Sequence, residues 1–132
     1  MRLWHYKLIP YLPKGQLIAQ WRELNSIYKK QDNHILINYI YKHESAYLYT
    51  YSLMVISEME NRGYKINKWE NFNNYFKEIP PIQKTVYYPE HNDQYLVICY
   101  YNLLEKFLRG QADYDCEKME NLYCFMKEKE LI

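Results

Sequence analysis

Apolar residues recur along the first part of the chain with a helical period. Leu17, Trp21, Leu24 and Tyr28 stand four, three and four apart, which lines one face of a helix. Arg22, Lys29 and Lys30 fall mostly off that stripe. The pattern predicts a helix from about Pro13–Lys14 to Lys30, ended by Gln31-Asp32-Asn33. His34 to Tyr41 is β-branched and aromatic without clean alternation, and reads as a short buried helix or an extension of the first. Leu48, Tyr51 or Ser52, Val55 and Met59 form a second stripe, with Ser45 as its cap and Gly63 just past Arg62 as its stop. Residues 64–91 hold no strong period. There Trp69, Phe72, Tyr75 and Phe76 are expected to pack as an aromatic layer in a long loop punctuated by Pro80-Pro81 and Pro89. The strongest signal follows: Asn92 or Asp93 as cap, then Leu96, Cys99, Tyr100, Leu103 and Phe107, closed by Gly110. An amphipathic segment from Asp115 to Lys129 completes the chain. The expected fold is all-α, a single compact domain of three main helices plus a C-terminal amphipathic segment and a long aromatic loop. Residues 1–110 would form the helical domain, and 111–132 an acidic helical extension packed on it.

Composition narrows the function. A chain of 132 residues can build one sizeable core and is too short for two. Only 3 glycines and 5 prolines argue against a barrel or sandwich of many tight turns, and no GxGxxG or GxxxxGK[ST] phosphate loop can be written. The 17 tyrosines supply rings that pack like aromatics, want a hydroxyl partner and can stack on nucleobases. Net charge is +1, which excludes a uniformly basic nucleic-acid coat. The charge is nonetheless polarised. Residues 1–42 carry seven basic side chains against two acids, a balance of +5, and residues 113–132 three lysines against six acids, a balance of −3. A basic N-terminal third can supply phosphate contacts while the tail faces elsewhere.

Cys99, Cys116 and Cys124 are odd in number and form no CxxC, so neither a disulfide framework nor a zinc knuckle is suggested. His5 and Lys7 interrupt the apolar start, which is unlike a signal peptide. The uncharged run Ser45–Ser57 is 13 residues long, too short to span a bilayer. A cytoplasmic location with reduced thiols is expected.

Candidate chemistry is sparse. Glu23 sits beside Arg22 in a region with few other acids, and an acid among basic residues can act on a substrate drawn there by charge. Read alone, it also fits a solvated helix face. Adjacent residues point to different sides of a helix, so Glu23 and Arg22 need not pair. The histidines are His5, His34, His43 and His91, with no HExxH or HxH. Glu90-His91 with Asp93 could supply ligands only if a site were assembled across the fold. No metal or cofactor is expected, and no GxSxG or Cys–His signature supports a conventional hydrolase.

The run Gln16-Leu17-Ile18-Ala19-Gln20-Trp21-Arg22-Glu23-Leu24 resembles the first-helix motif of the pyrimidine-dimer DNA glycosylase/AP lyase family, the phage endonuclease V type. Leu8 and Leu12 precede it at family-like spacing, and His34 follows at the expected distance. Arg62-Gly63-Tyr64-Lys65-Ile66-Asn67 is similar to the family's end of helix two, and Tyr88-Pro89-Glu90-His91 to its approach to helix three. The opening Met1-Arg2-Leu3-Trp4-His5, with Glu58-Met59, resembles a bacterial branch. The resemblance spans roughly residues 1–108.

That resemblance implies a compact all-α fold that flips a damaged or modified nucleotide, a pyrimidine dimer in the family, out of double-stranded DNA. It implies that the nucleophile is the chain's own α-amine. An α-amine has an ordinary pKa of about 7.7–8.0 against about 10.4 for lysine, so roughly a tenth of it is free base at pH 7. Glu23 matches the family's catalytic acid, and Arg22 a position that helps bind phosphate near the lesion. Arg2 is too large for the usual methionine aminopeptidase, so Met1 would stay and carry the nucleophile. The DNA-facing set is then Arg2, His5, Arg22, Lys29, Lys30, His34 and His91. The acidic tail lacks the family's aromatic dimer-contacting end. Two alternatives stay open on the same fold. One is a non-catalytic nucleic-acid or protein-interaction module, and the other a nucleotide enzyme using His5, Glu23, His34 and His91.

Overall fold

A computed structural model describes residues 1–79, 84–111 and 115–132. Pro80-Pro81 and Asp113 lie outside the described residues. An extended segment, residues 1–5, leads into a 3-10 helix, Tyr6–Tyr11, and then helix α1, Lys14–Lys29. A turn and a second 3-10 helix, Asn38–Lys42, lead to α2, Ser45–Asn61. The remaining helices are α3, Trp69–Phe76, α4, Asp93–Leu108, and α5, Cys116–Glu128. The fold is all-α, and no described residue is in a strand. No helix of the described residues is long and apolar enough to cross a membrane.

The helix ends follow local chemistry. Asn92 and Asp115 accept from the backbone N–H groups of Tyr95 and Lys118, satisfying donors that the first turns of α4 and α5 would otherwise leave open. Past α2, Gly63 takes φ +77°, which lets its N–H reach the Glu60 carbonyl and the Tyr64 N–H reach Met59. Gly110 does the same past α4. Two expectations are corrected at helix starts and loops. Ser45 is the first helical residue of α2, and Glu44, which makes no side-chain cap bond, holds the cap position. His34–Tyr41 is a turn followed by a 3-10 helix, not a continuation of α1, because Lys30 turns to extended backbone at φ −157°.

The stripes read from the sequence do form the core. Leu17, Trp21, Leu24 and Tyr28 of α1 meet Leu48, Tyr51, Val55 and Met59 of α2, with Leu96, Cys99, Tyr100 and Leu103 of α4 in the same cluster. Fully burying each such aliphatic side chain contributes about 1.5–3 kcal/mol. From α5, Met119, Leu122 and Met126 are buried in that core, and Phe125 lies 4.9 Å from the ring of Tyr11. The C-terminal helix therefore covers the 3-10 helix that follows the N-terminal segment.

The expected aromatic loop is instead a helix. Trp69, Phe72 and Phe76 stand on one side of α3, and their rings pack on Trp21, Tyr28 and Tyr49 of α1 and α2 at centroid distances of 5.1–6.4 Å. Three asparagines in eight residues weaken the intrinsic helical preference, and ring packing overrides it. Trp21 Nε1 donates to the Asn67 carbonyl at 2.9 Å and ties the approach to α3 onto α1.

A second aromatic layer encloses His5 and His91, at 1% and 6% exposure. His91 Nδ1 accepts from the Tyr6 N–H at 3.2 Å, so Nε2 carries the proton and donates to the Tyr39 hydroxyl at 2.6 Å. His5 Nδ1 accepts from the Lys7 N–H and caps the first 3-10 helix. Burial pushes His5 down to about 4 and His91 down to about 3, so both are neutral at pH 7. An unfolded chain takes up these protons near pH 6.5. Between about 6.5 and about 3 the unfolded state holds more protons than the folded one, so stability falls as pH falls through that window. The urea midpoint should decline progressively from pH 6.5 to 4. His91→Gln, which cannot charge, should decline less steeply; an identical slope would remove His91 from this account.

Candidate active site on the first helix

The N-terminal segment is fixed residue by residue. Gln20, on the inner face of α1, accepts from the Trp4 N–H at 2.9 Å through Oε1. Its Nε2 donates to the Arg2 carbonyl and to Glu23 Oε2, both at 3.1 Å. The Tyr51 hydroxyl lies 2.7 Å from the Trp4 carbonyl and 2.9 Å from Gln20 Oε1. Tyr95 donates to the Leu3 carbonyl at 2.6 Å. With Leu3 and Trp4 buried, the segment is anchored on both backbone and side chains, and Met1 is delivered to one place.

That place is a cleft of about 190 Å³ lined by Met1, Arg2, Trp4 and Glu23, with Gln16, Leu36, Asn102 and Lys106 around them. Glu23 is half-buried, and burial raises its carboxyl above the usual glutamate range. The Met1 ammonium, Arg22, the Arg2 N–H and Gln20 each pull back in the opposite direction. The Met1 ammonium is thus one of the positive charges that act on Glu23, from within the cleft that both residues line. The result is a carboxyl that takes up a proton more readily than a surface glutamate yet stays hydrogen-bonded in its charged form, which suits proton transfer.

Arg22 faces away from this cleft, as adjacent helical residues must. It lines a neighbouring groove of about 410 Å³ with Trp21, Lys29, Tyr64, Lys65 and Lys68. Among the described residues no acid lines that groove, and four cations stand around one aromatic wall. Lys30 is exposed at the end of α1, and His34 is exposed in the turn beyond it. The Arg2 guanidinium lies over the rings of Trp4 and Tyr95 at 5.8 Å each and borders the cleft.

A larger groove of about 430 Å³ runs beside α2, but its carboxylate, Glu58, is held by Arg62 at 2.8 Å. Glu90 pairs with His43 at 2.9 Å while His91 turns to Tyr6 and Tyr39, so Glu90-His91 does not converge on one point.

A sequence model described as pyrimidine dimer DNA glycosylase matches residues 1–71, more than half of the chain. The chain belongs to the pyrimidine dimer DNA glycosylase family. Membership carries a DNA glycosylase-type role in repair, in general terms, and DNA as the substrate class. No curated protein and no solved structure matches. The matched region of this glycosylase-family chain holds the N-terminal segment, Gln20, Arg22, Glu23 and the turn at His34, while Asn102 and Lys106 come from α4 outside it.

The structure thus brings Met1, Arg2 and Glu23 together, sets Arg22 and Lys29 in the adjoining groove, and leaves Lys30 and His34 exposed. The two remaining histidines are corrected. His5, at the end of the N-terminal segment, and His91 beside it are enclosed and neutral, so neither presents a charged ring at the surface.

Sequence reasoning missed Gln20, Tyr51, Tyr95, Lys65, Lys68 and Lys106. Only Gln20 left a signal, as an amide on the apolar stripe of α1. Gln20→Ala should leave the Trp4 N–H and the Arg2 carbonyl unpaired and lower stability by about 2–4 kcal/mol. Urea unfolding at pH 7 checks this, and a change under about 0.5 kcal/mol would contradict the anchoring role.

Proposed function

We propose that the chain is a DNA glycosylase with lyase activity, acting on double-stranded DNA that carries a damaged or modified base, with the Met1 amine as nucleophile and Glu23 as proton-handling group. The observation that carries this is the shared cleft, lined by both Met1 and Glu23, in which the Met1 ammonium acts on the Glu23 carboxyl. The family's description makes a pyrimidine dimer the first substrate to try.

The chemistry fits that pair. The free amine attacks the sugar C1′, the bond from C1′ to the base breaks, and the base leaves with the bonding electrons. Glu23 stabilises the positive charge that develops on the sugar. The attacking nitrogen gives up one proton to the departing base and a second to O4′ as the C1′–O4′ bond opens, which leaves an imine and a hydroxyl at C4′. Glu23 moves that second proton. The imine then draws electrons as C2′ loses a proton, and the C3′–O bond breaks to release the 3′ phosphate. A carboxyl raised above the ordinary glutamate range takes up a proton more readily than a surface glutamate, which suits it to pass protons in this sequence.

DNA is held by the cations on either side of α1. Arg22, Lys29, Lys65 and Lys68 face one groove, and Arg2 and Lys106 the other. Lys30 and His34 extend this surface past the end of α1. Phosphate contacts dominate affinity for duplex DNA and make it salt-dependent. Lys29→Glu with Lys30→Glu should weaken binding to all sequences about equally. It should also flatten the log–log salt dependence by up to about 0.9 for each phosphate that the protein no longer neutralises. Equal affinity and slope in a fluorescence-anisotropy titration would move the DNA face elsewhere.

The function itself is tested with a duplex carrying one abasic site or one pyrimidine dimer. Strand scission that leaves an unsaturated aldehyde on the 3′ end is the expected product. Failure to cut either duplex would remove the enzymatic reading.

A further inference from the structure

We infer that Ile35 and Leu36 form an apolar wedge that enters the base stack of duplex DNA and fills the gap left by the nucleotide drawn into the cleft. The inference rests on the glycosylase reading of that cleft. Ile35 is 80% exposed, more than any other large hydrophobic among the described residues, and Leu36 is 41% exposed. The two stand at the tip of the turn between α1 and the second 3-10 helix.

Their exposure is built in. His34 N–H donates to Asp32 Oδ1 at 2.9 Å, and Leu36 N–H donates to His34 Nδ1 at 3.1 Å. The N–H groups of Ile37 and Asn38 both reach the His34 carbonyl, at 3.0 and 2.9 Å. Asp32 N–H donates to the Tyr41 hydroxyl at 2.7 Å. Ile37, the next side chain, is fully buried and anchors the turn to the core. A backbone held this way presents Ile35 and Leu36 outward at no further ordering cost, which is what an inserted side chain requires.

The occupant follows from what surrounds the tip. Leu36 lines the same cleft as Met1 and Glu23, so the protrusion is continuous with the reacting centre. Lys29 and Lys30 lie just before the turn in sequence, and Arg2 and Lys106 line the cleft beside Leu36. An apolar tip with Arg2 and Lys106 beside it in the cleft, and Lys29 and Lys30 shortly before it in the chain, fits a polyanion with an apolar interior, which describes duplex DNA. Apolar side chains inserted at a base step unstack it and bend the duplex, and a damaged or unpaired position yields most easily.

The test separates insertion from chemistry. A duplex carrying 2-aminopurine next to an abasic site reports unstacking as increased fluorescence. Wild-type protein should raise the signal severalfold on binding. Ile35→Ser, which leaves the cleft-lining Leu36 in place, should bind with the same salt dependence and raise it little. Scission by that variant should fall about tenfold to a hundredfold on duplex DNA, the scale of losing the burial of one aliphatic side chain. On a single-stranded abasic oligonucleotide, where nothing has to be unstacked, scission should stay within about twofold. A variant that matches wild type in fluorescence overturns the wedge, as does an equal loss on single and double strands. Absence of scission by wild type on every substrate would instead count against the lyase reading, and the fluorescence comparison would still decide the wedge.

Discussion

Acetylating the Met1 α-amine, or leaving a tag ahead of it, is expected to abolish strand scission at an abasic site while the fold and DNA binding persist. Acetylation ties up the lone pair that the reaction needs. A tag moves the amine away from Glu23, and the anchored segment offers no second route. Trp4 is bonded through both N–H and carbonyl, and Arg2 and Leu3 through their carbonyls, so the backbone cannot slide to bring another group forward. The cleft also holds Lys106, which is the obvious substitute. Lys106→Met made in the blocked protein removes that substitute and should leave the loss unchanged. Scission above about one hundredth of the wild-type rate by the blocked protein would show that a different group attacks. Circular dichroism and anisotropy on the same preparation establish that the blocked protein still folds and binds.

Glu23→Gln is expected to lower scission at least about a hundredfold, the usual scale for losing a positioned proton-transfer group. The replacement keeps the length of the side chain and an oxygen that can accept from the Arg2 N–H. It removes the negative charge and the titrating proton. DNA affinity should be unchanged or slightly higher, since one acid is removed from a basic surface. The pH profile supplies a second check. Burial raises Glu23, so the wild-type rate should change on its acidic side at a pH above the ordinary glutamate range, and the glutamine variant should lack that limb. A purely binding module would tolerate the substitution in every assay.

Much of the fold is legible in the sequence. Helices α1, α2, α4 and α5 each announce themselves by a stripe of apolar residues, and Gly63, Asn92, Gly110 and Asp115 mark their ends. Arg22 and Glu23 are proposed from the motif on α1, and Met1 and Arg2 from the α-amine nucleophile that the family resemblance implies. What the sequence hides is tertiary. Helix α3 is invisible to periodicity because two turns rich in asparagine carry little signal, and only ring packing on Trp21 and Tyr28 selects it. His5 and His91 look like surface cations in one dimension. They prove to be neutral struts because residues 85 or more positions apart close over them: Tyr6 N–H bonds to His91. Gln20 is the reverse case. Its place on an apolar stripe marks it as odd, but its partners come from the extended segment, which no helical pattern describes.

The most direct measurement of the central claim is the site of covalent capture. The protein is incubated with a duplex carrying one abasic site in the presence of borohydride, which reduces an imine to a stable amine, and the adduct is digested and mapped by mass spectrometry. The account predicts a single adduct on the N-terminal peptide, attached through the Met1 nitrogen. Capture on a lysine side chain would contradict the assigned nucleophile, and no capture at all would contradict the imine chemistry.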